Sequence, residues 1–287
     1  MRILVMSGIA VSGVAALGAV GFFILGCSLY QPAPQTTSHP VTSAPTAAAT
    51  SAPSAESGAQ TADPSPAVVR VGGDMETMTK IAKSGFRSGV CRITTPLPAG
   101  YPMPTPPGAI EIKRYPVVRR AEIGGTISPD WGMNFAFFPL FNHIKRQEIA
   151  MTSPVEMNYR KLGENGAQKP SSWTMSFVYR TTDLGPTGVD PKDDRILIED
   201  IPPMTVLAVG MQGSYKLNRV NEGLTTLRAW LSKQEAWEEA GDPRSLYYNG
   251  PEMGDQDKWS EVQIPVRKRS SETAAPHLDD EKLQFKK

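Results

Sequence analysis

Few residues in this chain are equipped for chemistry, and their scarcity is informative. The 287 residues include three His and two Cys, so a His-rich metal site or a Ser-His-Asp centre has at most three imidazoles to draw on. Only His143 falls in the part that reads as folded. There is no Gly-x-Ser-x-Gly elbow, no phosphate-cradling glycine loop, no His-Glu-x-x-His and no Cys-x-x-Cys, and no nucleophile can be paired with a base. An enzyme is therefore the least expected class. Thirty Lys and Arg stand against 29 Asp and Glu, and a polyphosphate partner needs a basic surplus that is missing here. No nucleic-acid partner is expected.

The remaining candidates each have a plain reading beside a functional one. His143 sits off the centre of a helical apolar stripe, which suits a boundary residue with a polar neighbour; a contact or axial ligand to a bound ring is the sharper alternative. Cys91, alone beside a run of prolines, reads as inert packing rather than as a thiolate ligand. Asp190, Asp193 and Asp194, and the pair Glu199-Asp200, lie in turn-like stretches and read as solvated. Glu261 opens the run Glu261-Val262-Gln263-Ile264-Pro265-Val266. Alternation puts Glu261, Gln263 and Pro265 on one face, hence at an edge or in solvent unless that face lines a cavity. Met151, Met157, Met175, Met204 and Met211, with Phe137, Phe141, Trp173, Tyr179, Tyr247 and Tyr248, supply either a core or an adaptable apolar cleft for a flat ligand.

The elements that must position these groups follow from periodicity. Residues 3 to 25 carry no charge, and a helix of that length rises about 34 Å, enough to cross a bilayer. Gly26-Cys27 resembles a bacterial lipoprotein cleavage site, so Cys27 is a candidate for lipidation, with an uncleaved anchor or an ordinary cleaved signal as alternatives. Between residues 31 and 67, 29 of 37 residues are Pro, Ala, Ser or Thr, too few apolar groups to offset the entropy of ordering. Arg2 precedes the apolar segment and no further Lys or Arg occurs before Arg70. The positive-inside rule then places the rest of the chain outside the membrane, in the periplasm or at the cell exterior.

The expected organisation is a signal or anchor over 1–27, a linker over 28–69, a proline-rich segment over 70–108, one domain over 109–267 and a disordered tail over 268–287. A short helix is expected around Met75 to Lys83. Strands are expected at Ile110 to Val118, Ile149 to Tyr159, Trp173 to Tyr179, Arg195 to Glu199, Met204 to Met211, Ser245 to Tyr248 and Glu261 to Val266. One helix carries Phe137, Leu140, Phe141 and Ile144. A second carries Val220, Leu224, Leu227, Trp230 and Leu231, with Asn218 as cap and Gly241 and Pro243 as stop. This order predicts an α+β domain of two similar halves.

Taken in order, IEIKRYPVVRRAEI (Ile110 to Ile123), FFPLFNHI (Phe137 to Ile144), EIAMTSPVEM (Glu148 to Met157), WTMSFVYR (Trp173 to Arg180), LRAWL (Leu227 to Leu231) and SEVQIPV (Ser260 to Val266) resemble the SOUL haem-binding protein family. The likeness runs from Ala109 to Val266. It implies a distorted antiparallel β-barrel or sheet of two pseudo-repeated halves with two flanking helices. It also implies a shallow apolar cleft that takes haem or another tetrapyrrole without a covalent link. Carried over by position, Phe137 and Phe141 become ring contacts, with His143 and Met151 near the ring and His143 a possible axial ligand. Asn142 stands where vertebrate members carry a basic residue, and Lys145 or Arg146 would substitute. The fold is shared with gyrase-inhibitor-like effector-binding domains, in which an acidic residue at the position of Glu261 meets cationic ligands; this gives an alternative reading.

Overall fold

The computed structural model describes residues 67–270. The expected anchor, the candidate lipidation site Cys27, nearly all of the linker and most of the tail lie outside the described residues. The first strand, β1 (Val68–Gly73), begins inside the stretch expected to be linker. Three short strands follow, β2 (Lys80–Ala82), β3 (Gly85–Ser88) and β4 (Cys91–Ile93), forming a small sheet of their own. No helix forms around Met75 to Lys83. The carboxylate of Asp74 instead accepts from the backbone N–H groups of Glu76 and Thr77 and from the Thr77 hydroxyl, a turn that competes with helix formation.

The rest of the chain runs β5 (Ala109–Tyr115), β6 (Val118–Gly125), α1 (Pro129–Arg146), β7 (Val155–Arg160), β8 (Ser172–Val178), β9 (Gly188–Asp190), β10 (Asp193–Ile201), β11 (Met204–Gln212), α2 (Leu217–Leu231), β12 (Trp237–Glu239), β13 (Arg244–Tyr247) and β14 (Trp259–Lys268). The main sheet is antiparallel, in the order β1-β5-β11-β14-β13-β7-β8-β6-β10-β9, with β12 on the end of β14. It is a large curved sheet that stays open, since β1 and β9 are unjoined ends. The fold is α+β, and its halves are legible in the topology: β6-α1-β7-β8 repeats as β11-α2-β13-β14. Each half borrows its outer strand from the other, because β5 pairs with β11 and β10 pairs with β6.

Both helices pack on one face of this sheet. Ala136, Leu140 and Ile144 of α1 and Val220, Leu224, Leu227 and Leu231 of α2 share a single core with Ile123, Met175, Phe177, Leu207, Val262 and Ile264. Asn218 does not cap α2. The first N–H of that helix, on Leu217, is met by Oδ1 of Asp130 from α1, and α2 ends at Leu231, well before Gly241. The strand expected from Ile149 starts only at Val155. Before it, the Thr152 hydroxyl donates to the carbonyl of Val178 and the backbone N–H of Ser153 donates to that of Pro96, so those residues are spent on the end of β8 and on the proline-rich segment rather than on a ladder. β14 continues to Lys268 because its end pairs with β12, Trp237 opposite Lys268.

The opposite face of the sheet is covered as well, by the proline-rich segment. Cys91, Ile93, Tyr115, Val206, Ala208, Leu246, Tyr248 and Trp259 form a second core, with Leu97 and Tyr101 against it. The segment runs close enough to β11 that a side chain at Gly210 would strike the backbone of Pro106. Trp259 is completely buried and its indole N–H donates to the carbonyl of Thr105 at 2.8 Å.

Candidate functional site

Glu261 is neither an edge residue nor solvated. It is fully buried on the face that the proline-rich segment covers. Its Oε1 accepts from Lys113 Nζ at 2.8 Å, from the backbone N–H of Thr105 at 2.8 Å and from the Tyr248 hydroxyl at 2.6 Å; Oε2 accepts from Gln263 Nε2 at 2.7 Å. Burial alone would raise this carboxyl, but the charge and hydrogen bond of Lys113, helped by Tyr248 and Thr105, hold it below its ordinary range. Lys113, equally buried, is the cation that Glu261 meets. Buried and already paired with Lys113, Glu261 is not presented to a cationic ligand from solvent.

The same face continues as a chain of alternating charge. Gln263 Oε1 accepts from Arg244 Nε, Arg244 Nη1 reaches Glu156 at 3.3 Å, and Glu156 also accepts from the Tyr101 hydroxyl at 2.7 Å. Arg244 is buried and lies over the ring of Tyr115 at 4.7 Å. Burial pushes Tyr101, Tyr115 and Tyr248 well above the ordinary tyrosine value, with nearby carboxylates adding to it. Tyr101 and Tyr248 remain protonated donors, and Tyr115 accepts from Gln263 Nε2 at 2.8 Å. The lattice is structural, its carboxylates each paired with a cation, with Nη2 of Arg244 and the hydroxyls of Thr105 and Ser245 left without a hydrogen bond.

His143 is also buried, with both ring nitrogens engaged. Nδ1 is hydrogen-bonded to the Asp190 carboxylate and Nε2 to the Tyr179 hydroxyl at 2.6 Å. Asp190 is correspondingly buried rather than solvated and accepts further from Arg146, Lys192 N and Asp193 N. Its burial would raise the carboxyl, yet the hydrogen bonds from His143 and Lys192 and the charges of His143 and Arg146 bring it down to about 2. Tyr179 is pushed up to about 12, by burial first and then by the Asp190 charge. His143 thus ties the end of α1 to Tyr179 and β9, and ligation of an iron atom would require one of these two hydrogen bonds to break. The hollow beside it, between His143, Tyr179, Gly185, Val189 and Ile198, has a cavity volume of about 30 Å³, room for a water or two and far too small for a tetrapyrrole. Cys91 is buried, as its inert reading requires.

The face of α1 is where an apolar ligand could lie. Gly132, Ala136, Leu140 and Ile144, spaced four apart, are its buried row. Small residues at 132 and 136 let the helix approach β8 until Gly132 rests on the ring of Trp173. Phe137 and Phe141 fall on the flank of that row, half-buried, with rings stacked at 6.0 Å and 12°. Phe137 also meets Phe177 of β8 edge-on at 5.2 Å. Lys145 is the next residue in the row Phe137, Phe141, Lys145, and it is exposed, as is Asn142. Met151, partly buried, borders the same core. The structure therefore places Phe137, Phe141, Asn142 and Lys145 along one helix with Met151 at the same core, and leaves Glu261 on the far side of the sheet. Sequence reasoning missed the outermost aromatics, Trp131, Phe135 and Phe138, which are 71%, 71% and 58% exposed. Their i, i+4, i+7 spacing was the available signal.

Residues 101–265 match the family model described as SOUL heme-binding protein. Among solved structures, the C-terminal domain of EcmrR is similar at a TM-score of 0.44 and 16% identity, over 56% of this chain and 98% of that one. EcmrR in its complex with DNA is similar at 0.45 and 16%, over 56% of this chain, which spans only 57% of that protein. A hydrolase from Listeria innocua is similar at 0.42 and 12%, over 57% of this chain and 93% of that one. No curated protein matches. The matched residues make up more than half of the chain and take in both halves of the fold, α1 and its aromatic flank included, and the protein belongs to the SOUL haem-binding protein family.

Proposed function

We propose that this protein is a non-catalytic binding module for haem or a related tetrapyrrole, tethered to the outer side of a membrane through residues 3–25. The observation that carries the reading is the row on α1: two stacked phenylalanines, Phe137 and Phe141, followed one turn later by the exposed cation Lys145. An apolar ring with acidic substituents at one edge needs that sequence of surfaces, a flat aromatic bed ending in a charge that meets a carboxylate. Arg146 lies beside it, already held by Asp190, and Asn142 offers a neutral amide. Met151 is a soft contact at the border of the bed. Within this arrangement the chain supplies apolar contact and a charge-assisted hydrogen bond; the tetrapyrrole brings any redox chemistry of its own. The buried lattice around Glu261 gives the effector-type alternative no free carboxylate.

Titration of the full chain in detergent with hemin, followed by its Soret band, tests this. Saturable binding is expected, weakened about tenfold by Phe141→Ala and by Lys145→Glu, since loss of one ring stack or one charged contact is worth about 1.4 kcal/mol. A non-saturable response identical in all three proteins would overturn the reading. For the tether, intact-mass measurement of the membrane-extracted protein separates lipidation at Cys27 from an uncleaved anchor.

A further inference from the structure

The outward face of α1 is a second surface beside the flank that carries Phe137 and Phe141, with Lys145 at the end common to both. Trp131, Phe135 and Phe138 lie opposite the buried row Gly132, Ala136, Leu140 and Ile144 and point away from the domain. Ile127, just before the helix, is 53% exposed and extends the patch. Exposed aromatics scattered singly are ordinary on a soluble surface; three along one helical line, with an exposed isoleucine before them, are not. None of them belongs to the core, whose contacts on α1 are made by the opposite row and by Met133, Phe137 and Phe141 on its flanks.

The chemistry of the face favours one occupant. Its far end carries Lys145 and Arg146 in the last turn, and the only carboxylate in α1, Asp130, is turned to α2, where it accepts from Leu217 N. A helix with Trp and Phe along one line and cations at its edge suits the interface of an anionic bilayer, where rings sit among headgroups and ammonium groups meet phosphates. A second copy would bring its own Lys145 and Arg146 to the contact with no carboxylate from this face to answer them. The chain also holds the domain near such a surface. Forty-two residues separate the uncharged segment 3–25 from Val68, a leash of at most about 150 Å.

We propose that the outward face of α1, through Trp131, Phe135 and Phe138, rests on an anionic lipid surface with Lys145 facing its phosphates. This rests on the tethering proposed above only for bringing the domain to the bilayer. The test is the full chain reconstituted in phosphatidylcholine vesicles with and without phosphatidylserine, the lipids carrying brominated acyl chains that quench tryptophan on contact. One quenched tryptophan component is expected, larger with phosphatidylserine, absent in Trp131→Phe, and lost in Phe135→Ser although Trp131 remains as reporter. Hemin binding should be unchanged in both variants. Flotation of the same samples separates the two readings. Vesicle-bound protein whose Trp131 is unquenched overturns the lipid contact and leaves the tether standing. Protein that does not float, yet is quenched on addition of anionic vesicles, removes the tether and keeps the contact. Protein that neither floats nor is quenched overturns both. Efficient disulfide cross-linking of Phe135→Cys between chains, with no quenching in the wild type, overturns the proposal in favour of a second copy.

Discussion

The buried pair Lys113–Glu261 allows a quantitative test of how the covered face is held. The two charges are 2.8 Å apart and both side chains are fully removed from water. Lys113→Met leaves Glu261 with hydrogen bonds from Thr105 N, Tyr248 and Gln263 but no counter-charge; Glu261→Gln leaves an ammonium group buried without an anion. Breaking such a pair from one side costs about 3–5 kcal/mol, whereas replacing both members by neutral residues of similar size is often close to neutral. For a folded part of 204 described residues, at about 2–4 °C per kcal/mol, each single variant should lose about 6–20 °C in Tm. The double variant should recover most of it, so that the two single penalties fail to add by about 5 kcal/mol or more. Urea unfolding of the four proteins, followed by near-UV circular dichroism, measures the cycle. The acid limb supplies an independent check. The Glu261 carboxyl is depressed from 4.5, so its contribution is complete above that value and is lost as pH falls through its lower value in the folded state. Wild type should therefore lose stability below about pH 4.5, and Glu261→Gln should lose part of that slope. Single variants each costing less than about 1 kcal/mol, or penalties that simply add, would refute the argument that this pair closes the face.

Other outcomes follow from particular contacts. Gly132→Ala would drive a methyl group into the ring of Trp173, which is fixed by its hydrogen bond to the Ile127 carbonyl; thermal unfolding should register a loss of about 1–3 kcal/mol despite the better helix propensity of alanine. Asp190→Asn removes the charge that His143 and Arg146 share, and should cost about 1–3 kcal/mol at neutral pH. Because Asp190 sits at about 2 rather than 3.8, that difference between wild type and variant should shrink as pH falls from about 4 toward 2. Burial, with the charge of Asp257 behind it, pushes the Cys91 thiol up to about 11. In a Cys27→Ser background a thiol reagent at pH 8 should modify Cys91 only on unfolding, and rapid labelling of the folded protein would contradict its burial.

Much of the fold was legible because local pattern and tertiary role coincide. The runs at Trp173, Arg195 and Met204 are strands whose neighbours on both sides are strands, and the stripe from Val220 to Leu231 is the core face of α2. Failures occurred where a residue's role is set by something distant in sequence. Alternation placed Glu261, Gln263 and Pro265 on one face, which is correct, but a polar face was taken for a solvated one. What covers it is a segment about 155 residues earlier, Cys91 to Pro107, and the cation that answers it, Lys113, comes from a strand of the other half. Asp190 shows the same limit: among Asp190, Asp193 and Asp194 only the first meets His143 and Arg146, and nothing local distinguishes it.

The helix α1 carries the most instructive difference. Reading for large apolar residues selects Phe137, Leu140, Phe141 and Ile144, yet the buried row is Gly132, Ala136, Leu140 and Ile144. A helix that lies close to a sheet must present small side chains at the point of contact, and those residues score weakly as hydrophobic although they are the contact. The aromatics are thereby displaced, Phe137 and Phe141 to the flank and Trp131, Phe135 and Phe138 to the outside. Close packing against Trp173 thus has a functional consequence, since it is what leaves so much aromatic surface on the outer half of one helix. If Gly132 and Ala136 were large, the helix would stand off the sheet and the phenylalanines would fill the gap. The bed proposed for the tetrapyrrole and the face proposed for the bilayer therefore share one structural cause, and Gly132→Ala should disturb hemin binding at Phe137 and Phe141 as well as stability.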